Sequence, residues 1–262
     1  MKSDSGYASL VNLPRPVEEV TLVKQLVVAF LSMFSAASAT RLAMLIVLSL
    51  GSASPQSAAD QSVHPVTGRV IASTMGVEGA DWLDRPERER EEQPQKVIAA
   101  LHLTPGVNVG EVGAGTGFYA LRIAKRIQPG GTYYANDLQP AMLTRLESKT
   151  AAQKVTNIKT ILGTQTDPRL PRGTLDYVLM VDVYHELSHP QMILRQIAAA
   201  LKPGGKLVLI EFRKEDPEVP IRPEHEMTVK EVEAELSAEG YKLDQLVETL
   251  PWQHMFFFRR HS

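Results

Sequence analysis

Glu111-Val112-Gly113-Ala114-Gly115-Thr116-Gly117 is the stretch on which the reading of this chain turns. It closes an apolar run, Val107–Val112, and opens a helical one, Phe118–Ile127. A strand that passes through glycines into a helix aims backbone amides at a ligand, and the missing side chains let that ligand come close. Such loops are common, so the details matter. The glycines fall as Gly-x-Gly-x-Gly, with Phe118 where the dinucleotide fingerprint takes its third glycine. Glu111 stands two residues before the first glycine. A carboxylate there repels a pyrophosphate and suits a ligand with a cationic amino group. Asp137 follows Gly117 by 20 residues, at the end of the next strand. In doubly wound folds a carboxylate at that place meets ribose hydroxyls. Its other reading is an N-cap for the following helix.

Outward from the loop, strands and helices alternate. Thr132–Ala135, Ile158–Leu162, Leu175–Val181 and Lys206–Phe212 read as strands. Pro140–Lys149, Pro190–Leu201 and Val229–Ser237 read as helices, with turns at Pro129-Gly-Gly131 and Lys202-Pro-Gly-Gly205. Such alternation implies a mainly parallel sheet with helices on both faces, a Rossmann-like α/β domain. Lys242–Glu248 and His254–Arg259 have no helix between them, so they are expected to form an antiparallel hairpin at one edge. Upstream, Gln61–Asp84 reads as irregular, and Gln95–Leu101 as helical. The charge run Glu87-Arg-Glu-Arg-Glu-Glu92 reads as a solvated face.

Four segments in order, Glu111–Gly117, Tyr134-Ala-Asn-Asp137, Leu175–Val181 and Leu201-Lys-Pro-Gly-Gly-Lys-Leu-Val-Leu209, resemble the successive motifs of class I S-adenosylmethionine-dependent methyltransferases. The likeness covers about residues 95–260, and is strongest to small-molecule enzymes of the quinone-biosynthesis type. It implies a doubly wound seven-stranded sheet with the terminal hairpin, and S-adenosyl-L-methionine across the carboxyl ends of the first, second and fourth strands. It also implies that Glu111 and the loop Gly113, Ala114, Gly115, Thr116 and Gly117 hold the methionine end, that Asp137 holds the ribose and that Leu138 lies against the adenine. Many relatives carry Gly-Asp after the third strand; here the pair is Gly163-Thr164, so Thr164 or Asp167 is left to meet the adenine amine. Asp182, just past the fourth strand, is assigned to the cofactor as well.

The segment after that strand faces the transferable methyl group in this fold. Tyr184, His185 and Glu186 are therefore the candidate catalytic residues, with His185 a base near neutral pH or else a structural hydrogen-bonder. His185-Glu-Leu-Ser-His189 also matches H-E-x-x-H, a zinc signature that needs both histidines on one helix. Pro190 follows His189 directly and favours a helix start there, so no metal is expected. Trp82, Trp252, Phe256 and Phe257 can line an acceptor pocket or simply fill core.

The 262 residues carry a net charge of −2 and no cysteine. Nucleic acid is not an expected partner, and disulfides and thiolate chemistry are excluded. A small-molecule methyl acceptor is the expected partner. Residues 1–60 read as a separate unit: a patternless start, then Arg41, the nine-residue apolar run Leu42–Leu50 and a small-residue stretch to Ala59. Those three parts are the regions of a signal peptide, or an anchor if counted with the apolar residues before them. The domain is then exported, or held at the inner membrane facing either side. The expected organisation is 1–60, a cap segment 61–94 and a catalytic domain 95–262. Two further readings stay open: a nicotinamide-dependent oxidoreductase, and a cofactor-binding protein of the same fold without turnover.

Overall fold

In the computed structural model, residues 62–260 are described. The apolar stretch read as a signal peptide or anchor lies outside them. Among the described residues no helix is long and apolar enough to cross a membrane. The elements run α1 Ala80–Leu83, α2 Arg88–Glu91, α3 Pro94–Ala100, β1 Val109–Val112, α4 Ala120–Arg126, β2 Tyr133–Asp137, α5 Pro140–Ala152, β3 Ile158–Leu162 and β4 Leu175–Val181. They continue with α6 Pro190–Ala200, β5 Leu201–Arg213, β6 Glu226–Met227, α7 Val229–Ala238, β7 Tyr241–Val247 and β8 Gln253–Arg260. Short 3-10 turns cover Tyr184–Glu186 and Pro223–His225.

The sheet has the order β3-β2-β1-β4-β5-β8-β7, with the two-residue β6 beside the end of β5. Strands β1 to β5 pair in parallel, and β8 pairs antiparallel with both β5 and β7. The expected hairpin is therefore present, and β6 is one strand more than the seven expected. The chain winds outward from β1 to β3, then returns to start β4 on the other side of β1. That reversal is the switch point, outside whose carboxyl ends open α/β sheets bind ligands.

Alternation along the central strands explains the two-faced core. Leu179, Val208, Ile210 and Phe257 face one layer, shared with Ile123 of α4 and Leu146 of α5. Their neighbours Val178, Met180, Leu209 and Phe256 face the other, shared with Leu194 of α6 and Val232 of α7. A strand covered on both faces must be apolar at every position, as Leu175–Val181 nearly is. Phe256 and Phe257 are thus core, and do not line an acceptor pocket. Residues 202–205 bulge out of β5, where the sequence places a turn: Leu201 pairs with Leu175, and pairing resumes at Lys206 with Tyr177.

The expectation of a solvated face at Glu87–Glu92 is corrected. Arg88, Glu91 and Glu92 are buried. Arg88 Nη2 donates to Glu92 Oε2 at 2.8 Å, Nη1 donates to the Leu83 carbonyl at 2.7 Å, and its guanidinium lies over the Phe118 ring at 3.9 Å. Pairing and stacking together let this charge leave water, which spacing in the sequence cannot reveal.

The stretch before α1, read as irregular, has its own anchor. Arg69 Nε and Nη2 donate to Glu235 of α7 at 2.8 and 3.0 Å, and Glu235 is fully buried. Ala72 N and Arg69 Nη1 both donate to the His185 carbonyl, at 3.0 and 3.1 Å. Further on, Gln139 Nε2 donates to the Met75 carbonyl at 2.8 Å, Thr116 Oγ1 donates to Asp84 Oδ1 at 2.6 Å, and Arg145 pairs with Asp81. Residues 72–84 are thereby strapped across the carboxyl ends of β1 and β2.

Candidate active site

The loop between β1 and α4 takes the form its glycines allow. Gly113 has φ +74°, and a Cβ there would lie 2.5 Å from Val183 Cγ2. Gly117 has φ +88°, and a Cβ would collide with Leu146. Both positions therefore need glycine twice over, for conformation and for space. Asp137, at the end of β2, is buried, and its Oδ2 accepts from Gly115 N at 2.9 Å while Oδ1 accepts from Gln139 N at 2.8 Å. The N-cap of α5 is Gln139, not Asp137. Burial pushes the Asp137 carboxyl above its ordinary range, against the pull of those amides. Leu138 beside it is 42% exposed, an apolar side chain without cover. Ala114 and Thr116 are buried within the loop.

Around the loop the buried charges do not balance. Glu111 is enclosed, with Tyr133 Oη donating to its Oε2 at 2.7 Å. Asp182 turns the chain after β4 at φ +52°, and Gln253 Nε2 donates to its Oδ2 at 3.1 Å. Asp182 Oδ1, Tyr119 Oη and Gln253 Oε1 are buried with no hydrogen-bond partner among the described residues. Burial first, then Glu92 and Glu211, push the Asp182 carboxyl well above the ordinary range, with Arg88 opposing. Arg88 pairs with Glu92 and is also the cation whose charge opposes the rise of Glu111 and Asp182. Orphaned polar atoms and surplus carboxylates suit a ligand carrying an ammonium and a sulfonium, so the residues present fit S-adenosyl-L-methionine.

Burial raises the Glu111 carboxyl to about 7; Tyr133 and Arg88 lower it and Asp137 raises it. A cationic ligand binds the ionised form, so the complex takes up fewer protons than the free protein. Cofactor affinity is therefore expected to be level above about pH 7 and to fall by up to about tenfold per pH unit below it. Calorimetric titrations across that range check this, and Glu111→Gln should flatten the profile.

The candidate adenine groups lie on one exposed turn. Thr164 Oγ1 accepts from Asp167 N at 3.0 Å, and Asp167 Oδ1 accepts from Arg169 N at 2.7 Å. Both polar groups are spent on shaping residues 163–169, so neither is singled out.

At the end of β4 the structure separates the three candidate catalytic residues. Tyr184 is corrected: it is fully buried in the core, with the Arg69 guanidinium 5.4 Å from its ring. The backbone of the 3-10 turn sends Tyr184 one way and His185 with Glu186 the other. His185 is 1% exposed. Its Nδ1 lies 2.6 Å from Glu211 Oε2, and its Nε2 lies 3.0 Å from His225 Nδ1. Glu186 Oε1 is 3.9 Å from His185 Nε2 and 3.7 Å from His225 Nδ1. Burial raises the Glu186 carboxyl to about 7, and burial followed by His185 lowers His225 to about 4. His189 is exposed and forms the N-cap of α6, so the H-E-x-x-H spacing does not bring its two histidines onto one helix.

Sequence reasoning missed four of these groups. Glu211 carried a signal, a carboxylate inside the otherwise apolar strand Leu207–Phe212. Arg88 and Glu92 were hidden in a charge run. His225, 40 residues past His185, carried no signal at all.

Comparison with known proteins agrees with this fold. Residues 111–207 match the family profile of a methyltransferase domain. A crystal structure of a SAM-dependent methyltransferase from Aquifex aeolicus superposes with a TM-score of 0.67 at 27% identity, covering 71% of this chain and 98% of that one. These matches support a class I S-adenosylmethionine-dependent methyltransferase, a class whose cofactor is S-adenosyl-L-methionine. Within the class it is related to enzymes of quinone biosynthesis. A demethylmenaquinone methyltransferase of Geobacillus sp. (strain WCH70) is 27% identical over 117 residues, 45% of this chain and 50% of the relative. A ubiquinone/menaquinone biosynthesis C-methyltransferase of Cupriavidus metallidurans is 26% identical, over 45% of this chain and 48% of its own. The chain spans about half the length of the curated relatives it matches. These matches decide against the nicotinamide reading.

Proposed function

We propose that the protein methylates a small molecule, by in-line displacement at the sulfonium of S-adenosyl-L-methionine. The observation that carries this is the contact of Gly113 with Val183, which sets the glycine loop directly against the turn bearing His185 and Glu186. The bound cofactor supplies an electrophilic methyl group. The chain's own residues do the rest: the loop, Glu111 and Asp137 hold and orient it, and alignment provides much of the acceleration. His185, held by Glu211, stands with Glu186 and His225 where an acceptor proton leaves. That polar end favours an acceptor with a hydroxyl or an acidic carbon over a thioether. Similarity to demethylmenaquinone methyltransferases supports a quinol-like ring as the acceptor class. Arg41 and the run Leu42–Leu50 support membrane association through the N-terminus, with export or an anchored domain as its two forms.

Calorimetry with S-adenosylhomocysteine tests the reading. Wild type should bind, and Asp137→Ala should bind about 1–3 kcal/mol more weakly, the cost of unpairing buried polar groups. Absence of binding by wild type would sink the proposal. Labelled S-adenosylmethionine offered with metabolite extracts then separates an enzyme from a binding protein.

A further inference from the structure

We propose that His185, Glu186 and His225 hold a divalent transition-metal ion at the acceptor end of the cleft. Their ligand atoms all lie within 4.8 Å of one another. The two imidazole nitrogens face each other at 3.0 Å, with ring planes at 82°. Two nitrogens each about 2.1 Å from one ion, and about 90° apart at it, stand about 3.0 Å from each other. The third group is a carboxylate oxygen, 3.7 and 3.9 Å from those nitrogens, which one side-chain torsion brings inward. Two imidazoles and one carboxylate with remaining positions open form a ligand set for first-row transition ions, whereas calcium and magnesium prefer all-oxygen shells.

A second observation is the support behind the set. Glu211 is fully buried, its Oε2 2.6 Å from His185 Nδ1 and its Oε1 accepting from Tyr184 N at 2.8 Å. A carboxylate on the far nitrogen fixes the tautomer that leaves Nε2 free to ligate, and metal-bound histidines commonly have such a partner. Met75 N donates to the outer oxygen of Glu186 at 3.4 Å, leaving the inner one to point at the histidines. The side chains of His225 and Glu186 are 24% and 12% exposed, so the set is partly open to solvent. The expectation of no metal rested on His189, which cannot join His185; His225 takes that place from 40 residues away.

An ion there would bind an oxygen of the acceptor and lower the pKa of its hydroxyl. That role rests on the methyltransferase reading; the metal site itself does not. The test uses the full chain, stripped with chelator and dialysed against Co²⁺. The expected result is one Co²⁺ per chain with visible d–d absorption, abolished or weakened at least about 100-fold in His225→Ala and in Glu186→Gln. Glu211→Gln should weaken it about 10–100-fold, and His189→Ala should leave it unchanged. Thermal melts show which variants fold, and Glu186→Gln, partly exposed, serves if a histidine variant does not. Failure of wild type to retain Co²⁺, or retention unaffected by His225→Ala and Glu186→Gln, would overturn the site. Protein that binds S-adenosylhomocysteine but no Co²⁺ leaves the methyltransferase reading standing; Co²⁺ uptake without S-adenosylhomocysteine binding does the reverse.

Discussion

His185→Ala should bind S-adenosylhomocysteine as wild type does and turn over about 10²–10⁴-fold more slowly. The imidazole lies at the carboxyl end of β4, beside the glycine loop but not in it, and its nitrogens face Glu211 and His225 rather than the loop. Loss of the ring removes the group around which the acceptor end is arranged, and leaves the cofactor contacts intact. Deleting it also leaves buried Glu211 without its imidazole, so a control is needed. His185→Asn keeps a donor near Glu211 and lacks the outer nitrogen. If both variants melt near wild type and both lose turnover, the outer nitrogen is what matters. A rate in His185→Ala equal to wild type would reduce the residue to a structural role, and alignment alone would then drive the transfer.

Arg69→Ala should lose about 3–5 kcal/mol of stability, because it leaves a charge buried without its partner. Glu235 is fully buried, accepts both Arg69 bonds, and is also met by Thr67 and His64. For a domain of this size the loss corresponds to a fall of about 6–20 °C in the melting temperature. Replacing both members, Arg69→Met with Glu235→Leu, should recover much of it, since an apolar pair carries no desolvation cost. A single variant melting within about 2 °C of wild type would show that the ion pair contributes little. Turnover should fall along with stability, because Arg69 and Ala72 together hold the His185 carbonyl.

The fold was legible because its signals are local. Strand β4 is apolar but for Asp176, glycines end strands, and Pro140 and Pro190 open helices at the places expected. That the glycine loop and Asp137 come together was legible for the same reason, since they sit on consecutive elements. The acceptor half was not. It is assembled from the Tyr184–Glu186 turn after β4, from β5 and from the Pro223–His225 turn, and nothing in the stretch between His185 and His225 announces that they meet. Tyr184 was misjudged because adjacent residues on a tight turn point to opposite sides, which spacing does not tell. Arg88 and Glu92 were misjudged because a charge run has the same composition whether it faces water or a binding cleft.

The strap over residues 72–84 carries a kinetic consequence. It touches the glycine loop through Asp84 and Thr116, and the acceptor end through Met75 and Glu186. One segment thus serves both ligands, and Leu83 would come within 3.1 Å of any Cβ placed at Gly115. On the methyltransferase reading, a cofactor seated on the loop lies beneath the strap, and an acceptor arriving first would hold the strap closed over an empty loop. The expected kinetics are then ordered, cofactor before acceptor, with S-adenosylhomocysteine leaving last, and product-inhibition patterns check this.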